Sequence, residues 1–300
     1  MNLLKLSDLT KSDIDVLLAS AASLKARQKR GIPHQPLKGK TLGLIFEKSS
    51  TRTRVSFEVA MQQLGGTAIF ISNKDSQMGR GEPIKDTARV MSRYVDGVVI
   101  RTFGQDIIEE FARYSAVPVI NGLTDGHHPC QALADIMTVV EKKGGYRGMK
   151  VCWIGDGNNM ANSWLEAAGI LGFELRLACP KNYLPDSKIL KNAKAANENI
   201  HLVKTPQEAA KDADVLNTDV WASMGQEKEA TARKKAFKGF TINAKILALA
   251  NPDAIVLHCL PAHRGEEITD DVIEGANSAV WDEAENRLHI QKAILERLLA

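Results

Sequence analysis

The sequence predicts an α/β protein built as two doubly wound parallel-sheet domains, and three observations carry this. Short apolar runs of strand composition alternate with segments of helical period along the whole chain. Helical crossovers of that kind make consecutive strands parallel and cover both faces of the sheet. The alternation repeats in the second half, after the charged and then glycine-rich run Glu141-Lys142-Lys143-Gly144-Gly145-Tyr146-Arg147-Gly148. Finally, 300 residues exceed one typical domain and leave each of two enough chain for its own core. The expected domains are residues 1–143 and 144–285, with 286–300 a C-terminal helix packing back on the first.

Taken in order, Ile14, Leu17, Leu18 and Ala21 mark one face of a surface helix from Ser12 to Lys25. Strands are expected at Leu42–Phe46, Thr67–Ile71, Gly97–Ile100 and Val117–Ile120. A helix runs from the turn after Phe46 to Gly65-Gly66, which ends it, and another from Lys85 to Tyr94. Leu133, Ile136 and Val139 give the apolar face of a third. The second half offers strands at Val151–Ile154, Leu175–Cys179, His201–Val203, Val215–Thr218, Ile255–His258 and Ala279–Trp281, then a helix from about Asn286 to Leu299.

Composition is that of a globular protein, 44% apolar and 25% charged. A net charge of +3 is too small to argue for nucleic acid or an anionic membrane, so any positive potential must be local. The four cysteines, Cys130, Cys152, Cys179 and Cys259, form no Cys-x-x-Cys pair and indicate neither a disulfide framework nor a metal site. The N-terminus lacks a signal peptide's apolar core and cleavage site, and no apolar run approaches the roughly 20 residues of a membrane span. A cytoplasmic protein is expected.

The most informative stretch is Ser49-Ser50-Thr51-Arg52-Thr53-Arg54, a strand-to-helix turn. One hydroxyl there would serve as a helix cap. Arg52 and Arg54 sit against the macrodipole, an unfavourable placement worth roughly 0.3–1 kcal/mol each. Their presence makes sense if an anion binds between them, cradled by backbone N–H groups, hydroxyls and guanidinium forks. Open parallel sheets bind ligands beyond the carboxyl ends of their strands. The residues there are Ser49 to Arg54, Gln77, Arg101 and His128 to Gln131 in the first half, then Asn158-Asn159, Asp219 to Met224, and His258 to Pro261. The first set suits an anion and a carbonyl, the second a polar molecule with an amine and a carboxylate.

Several of these residues have an ordinary structural reading beside the functional one. His128 can donate to a developing oxyanion or be a buried structural imidazole. Arg101 serves an anion or a surface ion pair equally well. Asn158 and Asn159 stabilise their turn or supply donors to a carboxylate. Cys259 is a buried small apolar residue or part of a ligand site. Gly155-Asp156-Gly157-Asn158-Asn159-Met160 lacks the third glycine of a dinucleotide fingerprint, and the next strand ends without an acidic residue, so a nicotinamide cofactor is not expected. Gly225, followed by the polar run from Gln226 to Lys235, suits a hinged lid.

Together, Ser50-Thr51-Arg52-Thr53-Arg54, His128-Pro129-Cys130-Gln131, Asp219-x-x-x-Ser223-Met224-Gly225 and His258-Cys259-Leu260-Pro261 closely resemble the aspartate/ornithine carbamoyltransferase family, through nearly the whole chain. The first two motifs are shared by carbamoyltransferases generally, and the latter two point to ornithine as acceptor. The resemblance implies an active site in the cleft between the two domains and carbamoyl transfer from carbamoyl phosphate to the δ-amine of L-ornithine, giving L-citrulline and phosphate, with no cofactor or metal. It implies that Ser50, Thr51, Arg52, Thr53, Arg101, His128, Pro129, Cys130 and Gln131 hold carbamoyl phosphate, completed by Cys259, Leu260 and Arg287. Gln77 would reach a neighbouring subunit's site in a homotrimer or a multiple of trimers. Asn159, Asp219, Ser223 and Met224 would hold ornithine, and Arg101, His128, Cys259 and Asp219 would be catalytic.

Residue chemistry agrees with this. Thr51, Arg101 and His128 would stabilise the carbonyl oxyanion, and Arg52, Ser50 and Thr53 the phosphate. A lysine-like amine has a pKa of about 10.4 and must react neutral, a form that a cationic pocket favours. Asp219 would grip the α-ammonium and Cys259 direct the δ-amine. Acceptors such as putrescine, N-acetylornithine or aspartate, a noncatalytic amino-acid or phosphate sensor, and an oxidoreductase are the competing readings.

Overall fold

The computed structural model describes residues 1–72, 81–222 and 229–300. Contacts divide the chain into two units, residues 1–134 with 287–300 and residues 135–286. The change of unit at Ala134/Asp135 falls inside the helix Pro129–Lys143 and ahead of the Glu141–Gly148 run.

In the first unit, β1 (Thr41–Phe46), β2 (Thr67–Ser72), β3 (Gly97–Arg101) and β4 (Val119–Leu123) form a parallel sheet in the order β2-β1-β3-β4. The helices are α1 (Lys11–Lys29), α2 (Thr51–Gln63), α3 (Ile84–Met91), α4 (Gln105–Tyr114) and the start of α5 (Pro129–Lys143). Strands β1 and β3 read as apolar runs because they are buried on both faces. Ile45, Val98, Ile100 and Val119 pack with Ala88 of α3 and with Ile108 and Phe111 of α4. Edge strand β2 is half-exposed, but β4 is not left bare. Leu3 pairs with Ile120, donating to the Val119 carbonyl at 2.9 Å and accepting from Asn121 N–H at 2.8 Å. Strand β4 starts two residues later than expected, since Pro118 has no N–H and contributes only its carbonyl, to Val98. A register shift between Ile100 and Arg101 pairs Arg101 with Leu123, the kind of irregularity that re-aims a side chain at a strand end.

In the second unit, β5 (Lys150–Ile154), β6 (Glu174–Ala178), β7 (Ile200–Val203), β8 (Val215–Thr218) and β9 (Ile255–His258) form a parallel sheet in the order β7-β6-β5-β8-β9. Around it lie α6 (Asn159–Leu171), α7 (Ser187–Ala196), α8 (Pro206–Ala210), α9 (Ala230–Ala236), α10 (Ala244–Leu247) and α11 (Asp270–Ile273). Helix α6 is buried almost throughout, with Trp164 meeting Phe173 edge-on at 5.8 Å between ring centroids.

The strand expected at Ala279–Trp281 is not present. Only Ser278 bridges to Val256, and α12 (Val280–Leu299) begins six residues before Asn286. The Ala-Val-Trp triplet has strand composition, but Asp282 and Glu283 follow in the first turn, where carboxylates complement a helix N-terminus. From Arg287 onward α12 belongs to the first unit. Among the described residues no helix is long and apolar enough to cross a membrane.

Both strand orders reverse direction beside a central strand. In the first sheet β1 lies between β2 and β3, and in the second β5 lies between β6 and β8. At such switch points the loops after neighbouring strands part and leave a crevice at the carboxyl ends. The segments placed there are those after β1 and β3 in one unit and after β5 and β8 in the other.

Candidate active site

In the first unit Ser50 caps α2, its Oγ accepting from Thr53 N–H at 3.2 Å and donating to Thr53 Oγ1 at 2.9 Å. The buried Thr53 Oγ1 also receives Arg287 Nη2 at 2.8 Å and Arg101 Nη1 at 3.4 Å. A hydroxyl oxygen has two lone pairs, and here three donors, two of them on guanidinium groups, converge on it. That is an excess of positively charged N–H at a helix N-terminus, suited to an anionic oxygen. Thr51 and Arg52 follow on the exposed side of the same turn. Arg54 does not join them. It pairs with Glu58 at 2.9 Å and lies 3.9 Å over the Phe70 ring, so of the two arginines expected to flank an anion only Arg52 is left for it.

His128, Pro129, Cys130 and Gln131 are buried at the start of α5, whose first turn closes on the His128 carbonyl. Burial, then the cations Arg287 and Arg101, hold the His128 imidazole well below its usual pKa. His128 is therefore a neutral N–H donor at neutral pH. The Cys130 thiol, pushed up to about 12 by burial, is directed at the Asn121 carbonyl, 3.5 Å away. Sequence reasoning missed Lys48. It is buried, pairs with Asp125 and lies 4.1 Å over the Phe103 ring, tying the loop after β1 to the loop before α5. A lysine beside a hydroxyl-rich turn reads as a surface cation, and only the fold shows it enclosed.

In the second unit Asp219, just past β8, is a hub. It accepts from Val220 N–H at 2.8 Å, from Asn158 Nδ2 at 2.7 Å and from the Cys259 thiol at 3.1 Å. Asn158 also caps α6, accepting from Met160 N–H and Ala161 N–H, which places Asn159 in its first turn. Gly157 is required in this loop because a Cβ would fall 2.2 Å from the Leu184 carbonyl carbon. The half-buried Cys259 is pushed well above its ordinary pKa by burial and by the carboxylates of Asp219, Glu283 and Asp135. It remains a thiol and donates to Asp219. Ligand atoms of Asp219, His258 and Cys259 lie within 4.8 Å of one another, but the His258 ring nitrogens contact Leu260 N–H and Glu267, so this set is turned inward. Gln77, Ser223, Met224 and the first part of the expected lid lie outside the described residues.

A buried ion pair links two of these strand ends. Arg233 of α9 donates Nη1 to Asp156 Oδ2 at 2.7 Å and to the Trp221 carbonyl at 2.8 Å, and Nε to Glu229 at 3.0 Å. Burial pushes the Asp156 carboxyl up to about 6, with Arg233 opposing the rise. A carboxyl whose folded value lies above its ordinary 3.8 favours the fold below that value, and the contribution is lost as pH rises through 6, a difference of about 3 kcal/mol. Replacing Asp156 with Asn should therefore flatten the dependence of unfolding free energy on pH between 4 and 6, measured by urea denaturation. Sequence alone could flag Asp156 as a carboxylate in a glycine turn but could not find its partner 77 residues away.

Comparison with known proteins agrees with this geometry. Residues 1–141 match the carbamoyl-P binding domain, and residues 147–298 the Asp/Orn binding domain, of aspartate/ornithine carbamoyltransferase. The ornithine carbamoyltransferase of Geobacter sulfurreducens is 64% identical over 297 residues, covering 99% of this chain and 98% of that protein. The solved ornithine carbamoyltransferase of Pyrococcus furiosus superposes with a TM-score of 0.96 at 53% identity, covering 99% of this chain and 96% of that one. The solved anabolic ornithine carbamoyltransferase of Campylobacter jejuni gives 0.93 at 46% identity, covering 99% and 98%. With both domains matched, and with relatives this similar from end to end, the chain belongs to the aspartate/ornithine carbamoyltransferase family.

Proposed function

We infer that this chain transfers the carbamoyl group of carbamoyl phosphate to the δ-amine of L-ornithine, giving L-citrulline and phosphate, a step of arginine metabolism. The observation that carries the donor half is the convergence of Ser50, Arg101 and Arg287 on Thr53 beside a neutral His128. Ser50, Thr51, Arg52, Thr53 and Arg287 hold the phosphate, while Arg101 and His128, with Gln131 nearby in the first turn of α5, face the carbonyl oxygen. The neutral δ-nitrogen bonds to the carbonyl carbon, the oxyanion that forms is met by these N–H groups, and the bond to the phosphate oxygen then breaks as one proton of the nitrogen passes to the departing phosphate. A neutral His128 donates to that oxygen without adding a further cation.

The acceptor half rests on Asn159, Asp219 and Cys259. Asp219 offers a carboxylate to the α-ammonium, and the side chain of aspartate would meet that same carboxylate as a like charge. The Cys259 thiol, kept protonated, sits at the Asp219 oxygen and directs the amine rather than acting as a base. Residues 1–143 form the carbamoyl phosphate domain and 144–285 the ornithine domain, in a cytoplasmic homotrimer or multiple of trimers.

The test is citrulline formation from carbamoyl phosphate with ornithine, putrescine, N-acetylornithine and aspartate as separate acceptors. Ornithine should lead each alternative by about 100-fold or more in kcat/KM, since buried groups built for its amine and carboxylate stay unpaired with the others. Preference for any other acceptor overturns the assignment.

A further inference from the structure

Leu260, which follows Cys259, has φ of +57°, in the left-handed region that a branched side chain rarely occupies. Something must hold it there. Its N–H donates to Nδ1 of His258, two residues back, at 2.9 Å. The opposite ring nitrogen, Nε2, lies 3.1 Å from Oε1 of Glu267. Both His258 and Glu267 are enclosed, at 1% and 0% exposure, and the His258 main-chain N–H is itself bound by Glu283 Oε2 at 2.8 Å. An imidazole whose Nδ1 accepts must carry its proton on Nε2, and a carboxylate facing Nε2 enforces that tautomer.

We propose that His258, fixed by Glu267 as the Nε2–H tautomer, is a positioning residue that locks the strained Leu260 backbone and thereby sets the Cys259–Leu260 segment toward the amine acceptor. This rests on the reading of Cys259 and Leu260 as part of the site. His258 touches no substrate. It acts through one hydrogen bond, and that bond exists only while Nδ1 is unprotonated. Glu267 thus controls the acceptor side from nine residues away in sequence.

Two amide substitutions separate the ring's two functions. In His258→Asn the Oδ1 takes the place of Nδ1 and can still accept from Leu260 N–H, while the contact to Glu267 is lost. In His258→Gln the Nε2 takes the place of the imidazole Nε2 and can still donate to Glu267, while the acceptor for Leu260 is lost. Steady-state kinetics with both substrates, thermal melting, and histidine 15N shifts of the wild-type enzyme make the test. Nδ1 of His258 should be unprotonated. H258N, though the less thermostable, should keep ornithine kcat/KM within about 10-fold of wild type, while H258Q should lose about 100-fold with unchanged carbamoyl phosphate binding. A proton on Nδ1, or H258N as impaired as H258Q, overturns the positioning role alone. Cys259→Ala in the same assay isolates the underlying reading, because unchanged ornithine kinetics there would remove the 259–260 segment from the site.

Discussion

Arg52→Gly is expected to reduce kcat/KM for carbamoyl phosphate by about 1,000-fold while leaving the stability of the fold within about 1 kcal/mol of wild type. The two halves have separate causes. Arg52 is the second residue of α2 and exposed, and its side chain makes no hydrogen bond or ion pair among the described residues. Nothing in the core depends on it, and its charge stands against the helix macrodipole, so removing it offsets part of what a helical glycine costs. Its neighbour Arg54 is already engaged by Glu58 and Phe70, so it cannot substitute. In a site that draws a doubly charged phosphate, losing one planar, charged donor removes a charge-assisted pair made strongest as phosphate departs. Citrulline assays, calorimetry with carbamoyl phosphate and thermal melting together decide it. Wild-type affinity for carbamoyl phosphate in the variant would remove Arg52 from the donor site.

What the sequence made legible follows from how local each feature is. Strands β1, β3, β5 and β9 were readable because a strand buried on both faces carries a nearly continuous apolar run. The hydroxyl and arginine turn that opens α2 was readable because a helix start with cations in it contradicts a local rule. The helix start at Val280-Trp281 was not, because the three apolar residues from Ala279 to Trp281 carry no period, and the deciding carboxylates come after them. Nor could Arg54 be told from Arg52. Which of the two stays available depends on Glu58 one turn later and on Phe70 in β2. The least legible features are those made by distant pairs, such as Lys48 with Asp125, Asp156 with Arg233, and Thr53 with Arg287 on the last helix. Composition shows that such charges exist and that buried ones need partners. Only the fold chooses them.

Asp219→Asn should cut kcat/KM for ornithine by about 100- to 1,000-fold and leave carbamoyl phosphate binding unchanged. The substitution conserves shape, so the effect isolates charge and donor count. As a carboxylate, Asp219 accepts from Val220 N–H, Asn158 Nδ2 and the Cys259 thiol with both oxygens. An amide has one acceptor oxygen, and its –NH2 then faces either the Asn158 amide or the Cys259 thiol, each of which is itself a donor there. The loop after β5 and the Cys259–Leu260 segment lose a common anchor, and an α-ammonium loses its countercharge. One further consequence distinguishes this from general loosening. Asp219 is the first of the carboxylates that, after burial, hold the Cys259 thiol high, so its neutralisation should lower the Cys259 pKa toward the ordinary range. Alkylation of Cys259 should accelerate at a fixed mildly alkaline pH, because thiolate is the reacting form. Asp156, two residues before Asn158, is also raised in part by Asp219 and should move down in parallel, which shifts the pH window of its stability contribution. Unchanged ornithine kinetics together with unchanged Cys259 alkylation would show that Asp219 neither holds the acceptor nor sets the thiol.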